Sequence, residues 1–220
     1  MNILFQIKQL TKKSVYFFVP IQIFLCIVTL CLSANTQNES IMTDVLFIRA
    51  DGIIEIMLGI MHFISLVFSL YIVIGEELSP FANFIFVKTK KIYFLIRKNF
   101  VLFLYSIMVS IYLSLEYIFI KKFVINFDLS TSFFITYIVY LYIIYLMTYM
   151  TAFMFNSNQI SIIVLILILA LIIIYNINIF NIIDYLINKP IVLVFIIVIL
   201  NLFIIIFMNM YNKLLKKGSD

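Results

Sequence analysis

Six long apolar runs separated by short polar breaks set the plan of this chain: Ser14 to Leu32, Ile53 to Ile74, Asn99 to Ile120, Ser132 to Phe155, Gln159 to Phe180 and Pro190 to Met210. Each is close to the roughly 20 residues that a helix needs to cross the hydrocarbon core of a bilayer. Stretches such as Ile160 to Tyr175 are almost continuously apolar rather than alternating, and in lipid they can satisfy their backbone groups only as helices. The pattern predicts an all-α, polytopic membrane protein with six transmembrane helices in a single domain over residues 1–220.

The polar breaks differ in character. Before the first run, Ile3, Leu4, Ile7 and Leu10 share a helical stripe beside Lys8, Lys12 and Lys13, which predicts an N-terminal amphipathic helix lying in the interface. The first run also resembles a signal peptide, with its basic start and the small residues Ser33 and Ala34, but its length favours a span. Asn35 to Gly52, Lys121 to Thr131 and Asn181 to Lys189 are connections on one side, whereas Asn156, Ser157 and Asn158 make a tight turn on the other.

The longest break on that second side is 75–98, GEELSPFANFIFVKTKKIYFLIRK. Ser79 followed by Pro80 is a helix-start signal, since the Ser hydroxyl can cap free backbone N–H groups and Pro loses no bond at the first helical position. From there Phe81, Phe84, Ile85, Ile92, Leu95 and Ile96 form a stripe opposite Asn83, Lys90, Lys91, Arg97 and Lys98, which predicts an amphipathic helix along the membrane surface. Glu76 and Glu77 precede it. The bases suit either a protein partner or anionic lipid, the latter at about 1 kcal/mol for each residue near the surface.

Charge then assigns the sides. Lys8, Lys12, Lys13, Lys88, Lys90, Lys91, Arg97, Lys98, Lys213, Lys216 and Lys217 fall with the termini, against Arg49, Lys121, Lys122 and Lys189 opposite. The positive-inside bias places both termini in the cytoplasm and leaves a net acidic outer face. With 65% hydrophobic and 11% charged residues and a mean hydropathy of +1.21, a soluble domain is excluded. The bias toward Ile, Phe, Tyr, Asn and Lys lowers the information carried by any single aromatic residue.

Candidate chemistry is sparse. In the second run Glu55, Gly59, His62 and Ser69 recur at helical spacing with Ser65 beside them, a polar stripe that serves either close helix packing or a substrate path. Tyr142, Tyr145 and Tyr149 form a stripe on the fourth run, whose hydroxyls need partners inside the bundle or in a wet cavity. Asn201, midway along the sixth run, suits a helix–helix or dimer contact. Cys26 and Cys31 lie on different faces of one helix and do not suit a disulfide. Cys26 and His62 at similar depth would supply the nucleophile and base of an intramembrane peptidase, without any supporting motif. The sequence holds no phosphate-binding loop, metal-ligand cluster or Ser-His-Asp grouping, so no cofactor is expected in this chain.

The arrangement resembles the permease subunits of ABC transporters in the type-2 exporter superfamily, in particular small Gram-positive permeases for export of, or immunity to, peptides and bacteriocins. The resemblance covers the whole chain and rests on the N-terminal amphipathic helix, the six spans, and an acid followed by an amphipathic helix after the second. In the central loop, Lys88-Thr89, Phe94 and Lys98 match the family's basic-Thr/Ser pair, aromatic and Lys, while the Gly that often follows the acid is lacking.

The resemblance implies a multi-pass permease of the plasma membrane working as a homodimer or heterodimer. ATP-Mg would be bound by a separate ATPase subunit. Glu76, Glu77, Ser79, Phe81, Phe84 and Lys88 would form the coupling helix, Asn156 and Asn158 a second ATPase contact, and Glu55, His62, Ser69, Tyr142, Tyr145 and Tyr149 the translocation path. A membrane-embedded immunity or accessory protein without an ATPase is the alternative.

Overall fold

The computed structural model describes residues 18–28, 45–47, 53–77, 91–123, 131–155, 158–175, 177 and 179–217, together with Lys8, Lys12, Tyr16 and Cys31. Among the described residues the chain is helical and forms no strand. Helix α1 covers Phe18–Val28, followed by α2 (Ile53–Glu77), α3 (Lys91–Phe123), α4 (Thr131–Phe155), α5 (Asn158–Ile174), α6 (Ile179–Asn188) and α7 (Pro190–Lys217).

Helix α4 is the centre of the bundle and packs against α2, α3, α5, α6 and α7. Its sequence contains no Gly, Pro or charged residue, so nothing interrupts its ladder or forces one face toward water. Tyr137, Leu141, Tyr145, Leu146, Tyr149 and Phe153 are buried along it, and Leu66 of α2, Val101, Leu102 and Tyr105 of α3, and Leu165 and Leu169 of α5 close around them. Ser106, Ser110, Thr148 and Thr151 return their hydroxyls to backbone carbonyls three or four residues earlier. A hydroxyl can therefore sit in an apolar interior without an orphaned donor.

Gln22, His62, Ser65, Lys98 and Thr136 are buried, whereas Ile53, Ile96, Leu167, Ile191 and Phe195 stand exposed. Among the described residues, three helices are long and apolar enough to cross a membrane, over Ile96–Leu115, Phe134–Phe155 and Pro190–Phe207. Shorter apolar stretches run over Phe18–Val28, Ile56–Val67 and Ile162–Leu171. Only 6% of the α7 stretch is buried, against 56% for α4, so α7 lies at the bundle's edge with its apolar face outward.

The structure departs from the sequence-based expectation in three places. The fifth run, expected to span from Gln159 to Phe180, is helical only over Asn158–Ile174, and Ile179 and Phe180 open the next helix. Lys91 to Lys98 do not belong to a separate surface helix: α3 runs unbroken from Lys91 to Phe123, so this segment continues directly into the apolar stretch. An amphipathic stripe fixes which face meets lipid but not whether the helix turns along the surface or carries on inward. Asn181 to Lys189 is not a loop either, since α6 occupies Ile179–Asn188 and buries Ile183 and Leu186. Its corner with α7 follows from Pro190. The residue before a proline is pushed out of the helical region, and Pro is suited to a first helical position. Lys189 accordingly closes α6 by donating its N–H to the carbonyls of Tyr185 and Leu186, and its own carbonyl accepts from Val192 and Leu193 in the first turn of α7.

Candidate functional site

Two polar clusters, one buried and one part-buried, are each made by helices remote in sequence. The first joins α1, α2 and α4. Gln22 Nε2 approaches His62 Nδ1 at 2.7 Å and donates to Ser65 Oγ at 2.9 Å. The Ser65 hydroxyl donates to the His62 carbonyl at 2.7 Å, and His62 Nε2 lies 2.7 Å from the Tyr137 hydroxyl. The pattern is consistent with an imidazole that accepts at Nδ1 from the Gln22 amide and donates from Nε2 to Tyr137. Phe47 covers Tyr137 edge-on, with ring centroids 5.6 Å apart. The buried Gly59 stands one helical turn before His62 on α2.

The second cluster joins α3, α4 and α7. Asn99 Nδ2 donates to Asn201 Oδ1, the Tyr142 hydroxyl donates to Asn99 Oδ1 at 2.7 Å, and Asn201 Nδ2 donates to the Ile197 carbonyl at 2.8 Å. Asn201 is thus a contact between helices of the bundle. Replacing Asn99, Asn201 or both by Leu should give a coupling energy of about 0.6 to 1.7 kcal/mol in a double-mutant cycle, the range for such pairs in lipid. Unfolding in mixed micelles measures it, and additive effects would show that the pair does not hold α3 to α7.

The sequence-predicted residues divide accordingly. His62 sits in the first cluster and Tyr142 in the second, while Tyr145 and Tyr149 on α4 take part in neither set of hydrogen bonds. The expectation that all three Tyr hydroxyls find partners holds only for Tyr142, since the hydroxyls of Tyr145 and Tyr149 are buried without a hydrogen bond. Lys98 is buried too, its ammonium 5.4 Å from the Tyr149 ring centroid, rather than on the solvated side of a surface helix. Cys26 and His62 do not form a nucleophile–base pair, because both ring nitrogens of His62 are committed to Gln22 and Tyr137.

Ser79, Phe81, Phe84, Lys88 and Asn156 lie outside the described residues. Helix α2 carries Glu55, Ser69, Glu76 and Glu77, and α5 opens on Asn158, but these side chains are likewise outside them. Gln22, Asn99 and Tyr137 were not singled out from the sequence. Gln22 carried a signal, being the one amide inside the first apolar run.

Two other features are chemically plain. A groove between α2 and α5 is lined only by Phe63, Ile64, Val67, Ile162, Leu165 and Ile166, and offers a ligand no polar group. No group of His, Cys, Asp and Glu able to hold a metal ion occurs among the described residues. The chain matches no protein-family model, no curated protein and no solved structure.

Proposed function

We propose that this chain is the membrane-spanning permease subunit of an ABC exporter, crossing the plasma membrane six times with both termini in the cytoplasm. A separate ATPase binds and hydrolyses ATP-Mg, and two permease copies, or this one and a related chain, enclose the path. The cargo is hydrophobic or amphipathic, with cationic antimicrobial or toxin peptides as the class that suits an acidic outer face. The observation that carries this reading is the polar break between the second and third apolar helices. Two acids close α2, basic residues follow, and the positive-inside bias puts them on the side where an ATPase works.

The first test is topology and company. An Asn38→Cys variant should react with an impermeant thiol reagent in intact cells, and protection there would sink the six-span assignment. The tagged chain, solubilised gently from its own membrane, should bring down an ATPase subunit in equal amount.

The interior itself favours a second reading. His62, Tyr145 and Tyr149 are sealed within the packing of one copy instead of lining an open face, which suits an immunity or accessory protein that works by its presence in the membrane. That protein would purify without an ATPase.

A further inference from the structure

Helix α6 carries more apolar surface than the bundle covers. At about 100° of turn for each residue, Asn181, Asp184 and Asn188 gather within roughly 60° of its circumference and form a narrow polar stripe. Ile183 and Leu186 are buried on the opposite side, and α6 packs against α4 and α7. On the flank between those two sides stand Ile182 and Tyr185, 47% and 54% exposed. Lys189 closes the same flank, exposed like them, with its ammonium 4.6 Å from the centroid of the Tyr185 ring.

The place of α6 in the chain says what covers this flank. Only Lys189 separates it from Pro190, where the apolar and almost wholly unburied stretch of α7 begins. With 10 residues, about 15 Å at the helical rise, α6 is too short to cross a hydrocarbon core of about 30 Å. It therefore sits at the level where α7 meets the bilayer surface. A helix with a polar stripe and a broad apolar face is the form that lies in the plane of that surface. Tyr and Lys suit the headgroup level, because each joins an apolar body to a polar tip.

We propose that α6 is an interfacial helix whose Ile182 and Tyr185 flank rests in the lipid headgroup layer, with its polar stripe toward water and the Lys189 ammonium among lipid phosphates. The bundle holds one side of α6 and the bilayer surface another. The inference needs only that α7 crosses the membrane, so it applies to a permease and to an accessory protein alike.

The chain contains no Trp, so a single introduced indole reports on its own surroundings. The test places Tyr185→Trp, Ile182→Trp and, on the polar stripe, Asn188→Trp one at a time in the full chain. All three positions are exposed, so the packing against α4 and α7 is left intact. Each variant is reconstituted in phosphatidylcholine nanodiscs whose acyl chains carry bromine either near the headgroup or near the chain end, and acrylamide is added as the quencher in water. The Tyr185→Trp and Ile182→Trp proteins should lose most of their emission to bromine near the headgroup and much less to bromine near the chain end. The Asn188→Trp protein should be quenched chiefly by acrylamide. Strong acrylamide quenching at 182 and 185 without lipid quenching would mean that the flank stands in water, and no quenching by either agent would mean that a second copy or another protein covers it. Strongest quenching by bromine at the chain end would put α6 inside the hydrocarbon core. Each of these three results overturns the proposal.

Discussion

Replacing His62 by Leu should destabilise the bundle by about 2 to 4 kcal/mol, the largest effect expected of a single substitution here. The imidazole is buried and bonded at both nitrogens, so its removal takes a hydrogen bond at once from the Gln22 amide, which keeps its bond to Ser65, and from the Tyr137 hydroxyl. A buried polar group that loses a partner and cannot reach water costs about 1 to 3 kcal/mol. The sum is discounted because the unfolded chain in a membrane also finds partners. Since replacing every member of a network by apolar groups of similar shape can be nearly neutral, the combination Gln22→Leu, His62→Leu and Tyr137→Phe should recover most of the loss. Thermal unfolding in detergent measures both variants. If the single variant kept its stability but lost activity, His62 would belong to a path and not to the joint between α1, α2 and α4.

The fold was legible wherever one physical constraint decided it. Helix α4 follows from an apolar run of spanning length without Gly, Pro or charge, and its predicted limits, Ser132 to Phe155, fall within one residue of the observed ones. The stretch before the third span was harder, because the stripe of Ile92, Leu95 and Ile96 is satisfied equally by a helix lying on the membrane and by one entering it. The burial of Lys98 against Tyr149 belongs to the second arrangement. Helix α6 was concealed by Asn181, Asp184 and Asn188, which read as a polar loop, although Ile179, Ile183 and Leu186 carry a helical stripe between them.

The interior clusters were legible in part. A polar residue in an apolar run announces that it needs a partner, and that was enough to single out His62, Tyr142 and Asn201. Sequence does not say which helix supplies the partner. Gln22 and Tyr137 are 40 and 75 residues from His62, and only the crossing of three helices brings them within hydrogen-bond distance. The inverse error arose at Tyr145 and Tyr149. The rule that buried hydroxyls are satisfied by the bundle led to an expectation that the structure does not meet.

Reversing Glu76 and Glu77 together to Lys should abolish most export while leaving the protein in the membrane at wild-type level. Both residues belong to the last turn of α2, beyond the apolar part of that helix, so the spans that govern insertion are unaltered. Two acids presented to a basic cleft on an ATPase would become two bases facing it, and like charges brought together across an interface cost several kcal/mol. A penalty of that size lowers association by a factor of about 100 or more. Merely solvated acids contribute little, because exposed pairs are typically worth about 0 to 1 kcal/mol, and the double variant would then export normally. Peptide sensitivity of cells carrying each variant, read beside the amount of ATPase that co-purifies, separates the cases. Normal export by a fully inserted Glu76→Lys/Glu77→Lys protein would remove the coupling role of this loop, and lost export with undiminished ATPase binding would move the role of the acids from docking to the transmission of movement.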